Sequence, residues 1–164
     1  MRASEIKRLV VVVSLVSVGV VVGVGCSETA ETPADKGCDD GSPAKVAACV
    51  DQAGYVKDLE FISKARPTGA DHHAAVRKHL VAELKAAGYT VSEQAYGVGA
   101  NVIGELKGKT APDEILIIGA HFDGVPKCAA ADDNGTGTAG ALQAARALAR
   151  HTWDRTLQIV LWDE

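Results

Sequence analysis

The sequence predicts an α/β fold, and three stretches carry that prediction. Glu114 to Ala120 (EILIIGA) is a short, β-branched run that is apolar at successive positions, the pattern of a central strand in a sheet covered on both faces. Thr156 to Trp162 (TLQIVLW) gives a second apolar strand. Between them Leu142, Ala145, Leu148 and Ala149 line one face of an alanine-rich helix. The residues after the first strand, His121-Phe-Asp123, fall at its carboxyl end, where open α/β sheets bind ligands.

The composition is that of a globular chain, with 47% apolar and 23% charged residues. Residues 1–25 read as an export signal: Arg2, Lys7 and Arg8 precede the uncharged, valine-rich run from Leu9 to Gly25. That run is 17 residues long, short against the ~20 needed to span a bilayer. Val22-Gly-Val-Gly-Cys26 resembles a bacterial lipobox, so Cys26 is expected to be lipidated and to tether an exported cell-envelope lipoprotein to a membrane, periplasmic or at the outer surface; secretion is the alternative. Residues 26–43 have the polar, proline-containing composition of a flexible tether. Without the signal the formal charge moves from −4 to −6, which makes nucleic acid an unsuitable partner. Export permits disulfides: Cys38 and Cys49 flank a short loop, and a pairing of Cys128 with either is equally open.

From Ala44 the pattern turns helical, with Val46, Val50, Val56, Leu59 and Ile62 on one face and Gly54 as a break or kink. Arg66-Pro-Thr-Gly69 ends it. Asp71 is expected to cap a second helix with a stripe of Val76, Leu80, Val81, Leu84 and Ala87, stopped by Gly88. His72, His73 and His79 lie in that helix with no thiol or carboxylate to complete a ligand set, and are read as solvated. Tyr89 to Ala95 and Asn101 to Leu106 read as strands. Gly104 to Thr110 mimics a phosphate-binding loop, but Ile103 stands where its first glycine belongs and a strand follows, so the stretch is a turn. Thr136 or Thr138 caps the alanine-rich helix, and His151 at its end is structural.

His121 and Asp133 supply an imidazole nitrogen and a carboxylate oxygen from two loops, donors that suit a borderline cation such as Zn²⁺. Asp123 is spaced to accept the other N–H of His121 and fix its tautomer. The competing reading is a solvated acidic turn at Asp132-Asp-Asn-Gly135, which lacks the spacing of an EF-hand loop. No Gly-x-Ser-x-Gly occurs, which sets aside a serine hydrolase.

The ordered set Arg66-Pro-Thr-Gly69, Gly88-Tyr-Thr-Val91, Asn101-Val-Ile-Gly104, Gly119-Ala-His-Phe-Asp123, Ala131-Asp-Asp-Asn-Gly-Thr-Gly137 and Ile159-Val-Leu-Trp-Asp163 resembles the co-catalytic zinc exopeptidases of clan MH. That family includes bacterial leucyl aminopeptidases and glutamate carboxypeptidase II. The resemblance covers roughly Tyr55 to Glu164 and implies a three-layer α/β/α sandwich with a mixed, mostly parallel sheet, here incomplete at the carboxyl end, with residues 44–164 as the amino-terminal part of the peptidase domain. It also implies two zinc ions, with His121 binding one, Asp133 bridging both and Asp123 orienting His121. The family places a Glu-Glu pair just past the Trp-Asp strand end. By that spacing Glu164 matches the residue before the pair, and a shift by one would make it the general base.

The implied activity is an exported metallopeptidase, an aminopeptidase acting on peptide substrates, with residues 1–164 alone neither holding two zincs nor cleaving. The alternatives are a single-zinc enzyme like glutaminyl cyclase and a non-catalytic lipoprotein remnant of the fold.

Overall fold

The computed structural model describes residues 9–11 and 42–163. The signal, tether and lipidation assignments fall largely outside these residues, as do Cys26, Cys38 and Glu164. The elements are β1 (Leu9–Val11), α1 (Pro43–Ala48), α2 (Gln52–Ile62), α3 (Asp71–Ala86), β2 (Thr90–Tyr96), β3 (Gly99–Leu106), β4 (Ala111–His121), α4 (Thr136–Leu148) and β5 (Arg155–Trp162). The α/β class holds.

The strands form one mixed sheet in the order β1-β4-β5-β3-β2. β1 and β5 run parallel to β4, whereas β3 is antiparallel to both β5 and β2. Parallel and antiparallel pairings are therefore equal among the described residues, rather than mostly parallel. The antiparallel half arises because β2 and β3 form a tight hairpin and β3 to β4 turns over residues 107–110, the stretch that mimics a phosphate loop. Connections that short leave no room for the crossover that parallel neighbours need.

One core sits between the sheet and α2, α3 and α4. Ile62, Val76, Leu80, Leu84 and Leu142 meet Val102, Phe122, Ile159 and Leu161, all essentially inaccessible. Burying a side chain of this size contributes about 1.5–3 kcal/mol. α3 delivers its predicted stripe and stops at Gly88, whose φ of +93° suits glycine. On the opposite face Ile103, Ile115 and Ile117 are only half-buried and Trp162 is 37% exposed. Among the described residues the helical covering is on one face.

Several local expectations are corrected. The helical stretch from Ala44 breaks at residues 49–51, not at Gly54, because the Asp51 carboxylate accepts the Ala53 N–H at 3.0 Å and starts a new helix there. Val50 and Val56 consequently point outward, and α2 buries Asp58 and Ile62 instead. Asp71 is the first helical residue of α3 rather than its cap, which is Ala70. Neither threonine caps α4: Thr136 bonds the Asp132 carbonyl and Thr138 the His121 carbonyl. His151 follows α4 and packs edge-on to Trp153. Cys49 is disulfide-bonded and Cys128 is a free thiol, which removes the pairings of Cys128 with Cys38 or Cys49. No helix among the described residues is long and apolar enough to cross a membrane.

Candidate metal centre

Strand register places the site. His121 ends β4 level with Trp162 at the end of β5, and Thr138 in the first turn of α4 donates to the His121 carbonyl at 2.8 Å. The strand end is thus pinned to the helix that follows it. Between them the chain makes the turn Ala131–Gly135, whose last residues pack beneath α4 with the Asn134 side chain accepting the Gly137 N–H at 3.0 Å.

The three carboxylate and imidazole groups meet as the residue types suggest. His121 Nδ1 lies 2.9 Å from Asp123 Oδ1, and Nε2 lies 2.9 Å from Asp133 Oδ1, so the ring is bracketed by two carboxylates. The two contacts differ in exposure: the Asp123 side chain is 23% exposed, the Asp133 side chain 88%. Asp123 therefore holds the ring from the protein side, and the Nε2–Asp133 pair faces solvent.

Nε2 and Oδ1 suit one borderline divalent cation by chemistry, exposure and proximity. With Nε2 and Oδ1 2.9 Å apart, the pair would hold one such cation after a small opening. On its exposed turn, Asp133 has room for that movement. Among the described residues no group of three or more His, Cys, Asp or Glu converges as a complete cage.

A second His–Asp pair lies at the end of β5, and sequence reasoning missed it. Asp163, fully buried, accepts from Thr68 Oγ1 at 3.0 Å, His73 Nε2 at 2.7 Å and the Ala100 N–H at 2.9 Å. Its own N–H donates to Asn101 Oδ1 at 3.0 Å, and its carbonyl accepts from the Tyr96 hydroxyl. A Cβ on Gly99 would collide with this carboxylate, so glycine is required there. Asp163 is thus a buried anchor, not a group on the open ligand side of the sheet. His73 is 3% exposed and stacks on Phe122, ring centroids 5.1 Å apart. The solvated reading fails for His73 because it shares the stripe of Val76, Leu80 and Leu84, a spacing that was legible. It fails for His79 too, whose Nε2 donates to the buried Asp58 at 3.1 Å.

Arg66 is also fully buried, and the fate of its charge is unusual. Nε donates to the Phe122 carbonyl at 2.6 Å, and the terminal nitrogens to Ala129 and Ala130 carbonyls at 2.9 Å each. Burial pushes its guanidinium below the ordinary arginine range, opposed by the charges of Asp123 and Asp133.

Residues 101–164, which contain His121, Asp123 and Asp133, match the model described as peptidase family M28. The chain is 40% identical over 86 residues to an N-carbamoyl-L-amino-acid amidohydrolase of Paenarthrobacter aurescens, covering 51% of this chain and 19% of that protein. It is 33% identical over 89 residues to leupeptin-inactivating enzyme 1 of Streptomyces exfoliatus, covering 52% and 20%. The match thus spans about a fifth of the length of these curated relatives. In fold it is similar to a glutaminyl cyclase from Macrostomum lignano, with a TM-score of 0.62 at 23% identity over 84% of this chain and 44% of that one. The resemblance to co-catalytic zinc exopeptidases holds, carried by residues 101–164.

Proposed function

We propose, from the match of residues 101–164 to peptidase family M28, that this chain contributes to a zinc-dependent hydrolase of peptide or closely related amide bonds, with an aminopeptidase as the first reading. The observation that carries it is the Asp123–His121–Asp133 chain of contacts, with one carboxylate behind the ring and one exposed carboxylate in front of it. His121 Nε2 and Asp133 would hold the cation, Asp133 as the bridge to a second one. When bound, such ions polarise a carbonyl and acidify water.

The protein's own residues do the rest. Asp123 keeps the Nδ1 proton, which fixes the tautomer and leaves the Nε2 lone pair for the cation. Thr138 holds the His121 backbone, so the ring swings little. By the spacing of the resembled family, Glu164 stands just before the Glu-Glu pair or, with a shift by one, as its general base. Among the described residues no third ligand joins the pair, so a complete two-cation site would draw on residues beyond them.

Export with lipidation at Cys26, and through it attachment to a membrane, completes the reading. Cleavage before Cys26 would remove β1 and leave β4 at the edge of the sheet among the described residues.

The test is hydrolysis of leucine p-nitroanilide by the protein that carries this sequence. Activity lost to a chelator, restored by Zn²⁺ and absent in His121→Ala supports the proposal. Chelator-insensitive activity contradicts it. The glutaminyl cyclase alternative rests on likeness of fold, and metal stoichiometry separates it: one zinc rather than two.

A further inference from the structure

We propose that Arg66 is the positioning residue that sets the spacing of the two cation ligands, by tying the end of β4 that carries His121 to the turn that carries Asp133. This rests on the metal-site reading above. Phe122, whose carbonyl takes Arg66 Nε, lies between His121 and Asp123, and Ala129 and Ala130, whose carbonyls take the terminal nitrogens, run directly into the Asp133 turn. One planar guanidinium therefore closes both segments at once. The bond is returned: the Arg66 carbonyl accepts the Gly124 N–H at 3.1 Å.

Stability alone does not account for this choice of residue. A buried cation costs several kcal/mol unless paired, yet among the described residues Arg66 hydrogen-bonds only carbonyls, those of Ile62 and Lys64 included. Only the rigid fork of arginine reaches so many acceptors from one point, which lysine cannot do. The turn itself is bent to meet it. Ala130 sits at φ +47°, a left-handed conformation unfavourable for a non-glycine residue, and its carbonyl also accepts the Gly135 N–H at 3.1 Å. The Asp133 carboxylate, 88% exposed, has His121 as its partner, so its position depends on where this backbone is held.

Cobalt titration followed by visible absorption and amide exchange tests the proposal. Arg66→Lys is expected to weaken Co²⁺ binding about 10–100-fold and to speed exchange at Gly124 and Gly135 together. Arg146→Lys, which disturbs the ion pairs to Asp58 and Glu83, is expected to lower the melting temperature with neither effect. Co²⁺ affinity of Arg66→Lys within about twofold of the parent would overturn the proposal. Should Arg66→Lys fail to fold, the parent still decides: Gly124 and Gly135, on the two tied segments, must show similar protection, and a difference beyond about tenfold overturns it. Absence of Co²⁺ binding by the parent would sink the metal reading itself, an outcome the amide comparison distinguishes.

Discussion

Two histidine–aspartate pairs stand at the carboxyl ends of neighbouring strands, and they serve opposite ends. At β4, His121 is 37% exposed in its side chain and meets Asp133, which is 88% exposed. At β5, His73 and Asp163 are 4% and 0% exposed, and every oxygen of the carboxylate is spoken for. Residue type and contact distance are nearly the same. What separates the two pairs is the capacity left over: a saturated buried carboxylate cannot open for a cation, whereas one on an exposed turn has room to. The stack of His73 on Phe122 links the two, because Phe122 separates His121 from Asp123.

The largest expected effect breaks the buried pair. Asp163→Ala leaves His73, Thr68 and the Ala100 N–H without their acceptor and should cost about 3–5 kcal/mol, read by chemical denaturation. A loss under about 1 kcal/mol would mean the cluster is not an anchor. Next, His121→Ala should weaken divalent-cation binding more than about 100-fold, about 2.7 kcal/mol, while moving stability by less than about 0.5 kcal/mol. Calorimetric titration alongside thermal melts separates the two quantities.

Smaller effects sharpen the contrast. Asp123→Asn should lower cation affinity about 10–100-fold by loosening the ring that His121 presents. The ion-pair network on the far side of the core offers a pH test. Burial would raise the Asp58 carboxyl, but hydrogen bonds from His79 and Arg146 outweigh it and hold the group below the ordinary aspartate range. Its folded pKa is depressed, so its contribution is present above the unfolded value of about 3.9 and is lost as pH falls through the folded one. The stability gap between the parent and Asp58→Asn, about 1–2 kcal/mol, should be constant above about pH 5 and close below about pH 4. A gap that persists in acid would assign the stabilisation elsewhere.

What the sequence made legible was local. β4, β5 and α4 lie within short stretches whose apolar spacing marks them, and the contacts among His121, Asp123 and Asp133 join residues at most twelve positions apart. Contacts made across the chain were not legible in the same way. Asp163 meets Thr68 and His73 about ninety positions away, and Arg66 meets Ala130 sixty-four positions on. A polar residue on an apolar stripe signals that some partner exists without saying which. His73 carried that signal beside Val76 and Leu80. The pairing sense of the sheet was similarly hidden, since it depends on turn lengths that the apolar runs do not encode.

The most direct test of the division between ligand and anchor is a ¹⁵N NMR titration of the imidazole nitrogens with Zn²⁺. Nε2 of His121 is expected to shift to a metal-bound value while Nδ1 keeps its proton, hydrogen-bonded to Asp123, and both nitrogens of His73 remain unmoved. A metal-induced shift at His73, or an unchanged His121, would contradict it.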